Sequence, residues 1–149
     1  MMKILIDADA SPVRKIVVKL AKAHHIELII VSNVNHDIHE AYGTIITVDQ
    51  GFDSADHKIV GLTNKGDLVI TQDYGLASLI LSKKAYALHQ DGWFFNKDNI
   101  DQLLMSRYLN QKLRKVNKRL KPIPKRKQDQ NDAFEQALNA YIENYKESE

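Results

Sequence analysis

The 149-residue chain contains no cysteine. That excludes disulfides, thiolate zinc sites and cysteine nucleophiles, and it fits a reducing compartment. No apolar run approaches the roughly 18 residues that suggest a membrane span. The N-terminus, Met1-Met2-Lys3, runs straight into an apolar segment. It lacks the basic region, long apolar stretch and cleavage site of a signal peptide, so a cytoplasmic protein without membrane contact is expected. No Gly-x-Gly-x-x-Gly and no Walker loop occurs, and nucleotide binding of those kinds has no support. Internal repeats and low-complexity tracts are also missing.

What remains is 44% apolar and 27% charged, ordinary for a globular protein. The length suits a single domain, 1–149, with a core over about 1–95 and a basic helical extension over about 96–149. The formal charge of +2 is unevenly spread. Residues 101–130 hold ten basic side chains against Asp101 and Asp129, a net of +8, which leaves −6 for the rest. An acidic body with a basic appendage suits a polyanion, held at its phosphates by Arg107, Arg114, Lys115, Lys118, Arg119, Lys125 and Arg126. The alternative is that these charges only solvate an exposed helix and linker.

Apolar strand patterns at about 3–7, 27–31, 44–48, 68–71 and 85–88 alternate with helical patterns at about 12–24, 54–63 and 74–84. Such alternation predicts a parallel, doubly wound α/β sheet. Ser32 to Asp37 reads as a polar turn. A long helix follows Asn96 or Asp98, with Ile100, Leu103, Leu104 and Tyr108 expected inward. Pro122 and Pro124 end it, and a last helix at about 129–145 carries Phe134, Leu138, Tyr141 and Ile142 on one stripe.

Five aspartates stand where strands run out: Asp7 and Asp9 after the first, Asp53 and Asp56 after the third, and Asp73 after the fourth. In an open parallel sheet the strands' carboxyl ends share one edge, where ligands bind. Gathered carboxylates repel one another unless a hard cation such as Mg²⁺ or Mn²⁺ compensates. Each aspartate also has a local reading. Asp9 or Ser11 suits an N-cap with Pro12 at the first helical position, Asp53 and Asp56 suit a helix start, and Asp73 suits the cap of a helix from Tyr74. Asp7 has no evident local role.

Asp7-x-Asp9 admits two chemistries. In haloacid dehalogenase-like phosphatases the first carboxylate attacks phosphorus and the second is the general acid. That scheme also wants a later Ser or Thr, a Lys and a further acidic pair, and no such pair appears. In metal nucleases the aspartates hold the cation instead, and acids after the third and fourth strands fit that scheme better. His36-x-x-His39 lacks a full zinc ligand set, while His57, beside Asp56, faces either the site or solvent. Trp93-Phe94-Phe95 either seals the core edge or stacks bases.

Three blocks, Asp7 to Val13, Asp49 to Asp56 and Gly66 to Ala77, together with Asn99-Ile100 and the helix around Phe134-x-x-x-Leu138, closely resemble the bacterial YaiI/YqxD family. The resemblance covers essentially the whole chain. It implies kinship with PIN-like and NYN-like nuclease domains: a three-layer sandwich around a five-stranded parallel sheet of order 3-2-1-4-5, with extra C-terminal helices. It further implies Mg²⁺ or Mn²⁺ held by Asp7, Asp9, Asp53, Asp56 and Asp73, with Asp7, Asp9 and Asp73 central to phosphodiester hydrolysis and RNA the expected polyanion. A nucleic-acid-binding module without turnover is the alternative. Two departures stand out. Ser11 replaces a cysteine common in the family, and Lys121-Pro122-Ile123-Pro124-Lys125 replaces a glycine-rich linker.

Overall fold

The computed structural model describes residues 2–8, 11–33, 40, 42–49, 54–116 and 126–148. Five strands, β1 (Lys3–Asp7), β2 (Glu27–Asn33), β3 (Thr44–Val48), β4 (Leu68–Ile70) and β5 (Tyr86–Leu88), form one sheet of order β3-β2-β1-β4-β5. All four pairings are parallel. The expected order 3-2-1-4-5 is therefore found. Helices α1 (Arg14–Ala23), α2 (Ser54–Leu62), α3 (Tyr74–Ser82), α4 (Lys97–Val116) and α5 (Gln128–Ser148) complete the fold.

Side chains of a strand alternate between faces, and here both faces are apolar. Ile4, Ile6, Leu28, Ile30, Leu68, Ile70 and Leu88 pack with α1 and α5. Leu5, Ile29, Val31, Val69 and Ala87 pack with α2, α3 and the first turns of α4. The result is three layers. Near-continuous apolar strands are what a sheet covered on both sides requires. Helix α5 belongs to this core: Phe134, Leu138 and Ile142 are fully buried in the same cluster as Ile4 and Ile6.

Three expectations need correction. Ser32 and Asn33 are not in a turn but extend β2, registered against Thr47 and Val48 of β3; a neighbouring strand can hold a polar residue that local propensity assigns to a loop. Helix α1 begins at Arg14, not Pro12, because Ser11 Oγ accepts the Val13 N–H (3.3 Å) in a local turn that delays the helix. In α4, Ile100 is buried and Leu103 is half-buried, but Leu104 and Tyr108 are 48% and 52% exposed. The side of α4 turned to the body carries Ile100 and Leu103 instead, and Arg107, itself exposed, continues that stripe. Asn96 rather than Asp98 caps α4, in a reciprocal pair: its Oδ1 accepts the Asn99 N–H (2.8 Å) and Asn99 Oδ1 accepts the Asn96 N–H (2.9 Å).

The aromatic triplet seals the core edge. Phe94 bridges Leu88 in antiparallel fashion, Phe95 is 4% exposed, and Trp93 packs edge-on to Phe95 with ring centroids 4.7 Å apart. Helix α5 is tied to the turn before this triplet. Arg126 donates to Asp91 Oδ1 (2.5 Å), to Asn131 Oδ1 (2.6 Å) and to the Gln90 carbonyl. At the opposite edge of the sheet, Asp67 binds the Lys3 ammonium (2.5 Å), the Lys3 N–H and the Asn64 N–H, fixing the starts of β1 and β4.

Candidate carboxylate site at the switch point

The chain leaves β1 toward β2 on one side and later returns to β4 on the other, so the reversal of strand order falls between β1 and β4. A crevice opens at the carboxyl ends of strands at such a point. Register decides which side chains reach it. Ile6 pairs with Ile70, so Asp7 stands level with Thr71. Alternation puts both on the face of Leu5 and Val69, the face that α2 and α3 cover.

Helix α3 begins directly after β4, and its cap supplies the second acid. Asp73 has extended backbone, and its Oδ1 accepts the Gly75 N–H (2.8 Å) and the Leu76 N–H (3.2 Å). The local reading of Asp73 as an N-cap is thus realised. Both cap bonds fall on one oxygen, and Oδ2 takes no part in them. Thr71 Oγ1 accepts the Asp73 N–H at 2.9 Å, bending the chain between strand and helix. Asp56 arrives from the first turn of α2.

Asp7, Asp56 and Asp73, far apart in sequence, line one cleft of about 280 Å³ together with Ile70, Thr71 and Gln72. A larger cleft of about 510 Å³ adjoins it between α2 and α3, where Asp56 and Asp73 again form the wall with His57, Val60, Leu76 and Leu79. A third, of about 400 Å³, lies beside β3 and shares His57, with Lys58 and Asp49 at its rim. These shared residues link the clefts into a run across the carboxyl edge. Among the described residues, no three His, Asp or Glu side chains stand close enough to form a ligand group by themselves. Asp9 and Asp53 lie outside the described residues, as do His36 and His39.

Of the basic candidates, Arg107 is placed most informatively. Its guanidinium carbon lies 5.7 Å from the ring centroid of Tyr74, the residue after Asp73. This cation–π contact joins α4 to the rim of the site. No sequence pattern singled out Tyr74 as its partner, since the contact spans two helices. Helical period puts residue 114 on the same stripe as Ile100 and Arg107. Residues 114 and 115 belong to α4, but their side chains lie outside the described set; Lys118, Arg119 and Lys125 lie outside it entirely. Arg126 is engaged by Asp91, Asn131 and Gln90. No described helix is long and apolar enough to cross a membrane.

Residues 5–144 match the family described as Uncharacterized BCR, YaiI/YqxD family. The UPF0178 protein of Alkaliphilus oremlandii is 48% identical over 142 residues, 95% of this chain and 92% of that one. That of Natranaerobius thermophilus is 47% identical over 147 residues, covering 99% and 100%. A solved structure, Rae1 (YacP) from Bacillus subtilis, superposes over 97% of this chain and 99% of its own with a TM-score of 0.43 and 15% identity, a likeness too distant to bear on activity. On the family match and these relatives, the chain belongs to the YaiI/YqxD family.

Proposed function

We propose that the switch-point cleft is the site of a divalent-cation-dependent phosphodiesterase of PIN-like type acting on RNA. The observation that carries this reading is the meeting of Asp7, Asp56 and Asp73, from three separate elements, around one cleft. The donor set suits Mg²⁺ or Mn²⁺, since such ions take one or two carboxylates directly and keep several waters. Asp7 and Asp73 would hold the ion, with Asp56 beside them and Asp9 and Asp53 as further donors. A cation bound there would offset phosphate charge and lower the pKa of water for attack on phosphorus.

The chain's own residues would do the rest. Thr71 holds the Asp73 backbone, which keeps that carboxylate at the cleft wall. Arg107, seated on Tyr74, offers positive charge at the rim, and α4 carries Lys112, Arg114 and Lys115 beyond it without an intervening acid. Such a run would bind phosphates through counterion release and make affinity fall steeply with salt.

The test is RNA cleavage by the purified protein with Mn²⁺, alongside Mn²⁺ binding by calorimetry. Asp7→Asn should abolish both. Cleavage undiminished in that variant would remove Asp7 from the reaction, and Mn²⁺ binding without turnover would leave a non-catalytic RNA-binding module.

A further inference from the structure

Helix α4 carries an exposed face whose acidic and apolar residues the proposed site does not use. Asp98, Asp101, Met105, Tyr108 and Lys112 recur at i, i+3, i+7, i+10 and i+14, a heptad stripe that position 115 continues with another lysine. All five are exposed, Met105 at 59% and Tyr108 at 52%. Leu104, Leu109 and Leu113, each about half exposed, widen the apolar centre. The helix packs on the body through its other side, with Ile100 buried and Arg107 on Tyr74. An apolar surface of this extent on one helix marks an interaction site.

Along the stripe the order is acid, apolar, base. We infer that this face of α4 pairs antiparallel with the same face of a second copy of the chain. Turned end for end about a point between residues 106 and 107, the stripe meets itself in register. Asp101 then faces Lys112 of the second copy, Asp98 falls opposite position 115, and Met105 packs on Tyr108. A two-fold interface requires that self-complementarity. A parallel pairing would set Asp101 against Asp101 and Lys112 against Lys112, which like-charge repulsion opposes. The Lys112 ammonium already lies 4.7 Å from the Tyr108 ring centroid, so its charge sits over the apolar centre, within reach of an incoming acid.

The stripe from 98 to 115 spans about 27 Å of helix. Contact confined to that length of one helix is small beside the roughly 1,200–2,000 Å² that specific, stable interfaces bury, so the expected dimer is in exchange with monomer and dissociates on dilution. Sedimentation of the full chain should show this monomer–dimer shift. Tyr108→Glu should raise the dissociation constant at least tenfold with the helical content unchanged. Asp101→Lys should weaken association, and adding Lys112→Asp should restore it to within about threefold, a rescue that only antiparallel self-pairing predicts. The chain has no cysteine of its own, so mixed Asp101→Cys and Lys112→Cys variants provide a second measurement. Oxidation should link 101 to 112 and not 101 to 101. A monomeric mass at every concentration, a dimer indifferent to Tyr108→Glu, or 101–101 links in place of 101–112 would overturn the inference.

Discussion

His89 lies flat on Trp93, with ring centroids 4.2 Å apart and planes 10° from parallel. Its Nδ1 accepts the Asp91 N–H at 3.0 Å, a bond that only an unprotonated nitrogen can make. Burial lowers the His89 pKa from its ordinary 6.5; Asp91 opposes that shift and Arg126 adds to it. The folded value therefore lies below the unfolded one. The stabilisation is present above pH 6.5 and is lost as pH falls through the folded pKa. Trp93 is the only tryptophan, and protonated imidazole quenches indole emission more strongly than the neutral ring. Trp93 fluorescence should titrate with a midpoint below 6.5, and His89→Gln should remove the transition.

Asp73 combines a structural and a chemical role that two substitutions separate. Asparagine caps helices about as well as aspartate, whereas alanine loses the cap at a cost of about 1 kcal/mol. Asp73→Asn should keep the thermal midpoint within a few degrees yet abolish Mn²⁺ binding and RNA cleavage. Asp73→Ala should lose both stability and function. Full cleavage by Asp73→Asn would confine the residue to capping.

Gly92 and Gly66 both have positive φ, 92° and 87°, but different surroundings. A β-carbon at Gly92 would stand 2.7 Å from the Ala133 carbonyl oxygen, while at Gly66 it would meet nothing within 4 Å. Gly66→Ala should cost only the backbone strain, about 1 kcal/mol. Gly92→Ala must also push α5 away from the turn after β5 and should cost about 2 kcal/mol or more. Denaturant unfolding of the two variants, side by side, measures the difference.

The arginines should divide by what they touch. Arg126→Gln breaks the clamp on Asp91 and should destabilise the fold by about 1–3 kcal/mol. Arg107→Gln with Arg114→Gln should leave stability nearly unchanged, because Arg107 gives up only an exposed cation–π contact of about 0.5–1 kcal/mol. RNA affinity should fall in the double variant, and its salt slope should flatten by about 0.7 for each phosphate no longer neutralised. An unchanged slope would mean that these charges serve only to solvate α4.

Strand and helix alternation, the parallel sheet and the core stripe of α5 were legible in the sequence, because each rests on local periodicity that burial on both sheet faces imposes. The strand order was implied only by the family resemblance, since no local pattern records which strands pair. The polar residues Ser32 and Asn33 escaped that periodicity, since pairing with β3 is a long-range contact that no local pattern records. Likewise the apolar residues of α4 announce a helix but not which of them face inward. Leu104 is as apolar as Ile100, and only packing of α4 on the body, α3 included, turns Ile100 inward and leaves Leu104 exposed.

For the site, the residue types were determined by the sequence: acids where strands end, a base-rich helix later, and no thiol or glycine-rich alternative. That Asp7, Asp56 and Asp73 line one cleft was decided by tertiary structure. Asp7 and Asp73 are separated by 66 positions, and they share a cleft because β1 and β4 pair in register at the one place where strand order reverses. That register also sets Asp7 and Thr71 on the face covered by α2 and α3, where a shift of one residue would have turned Asp7 toward α1 and α5.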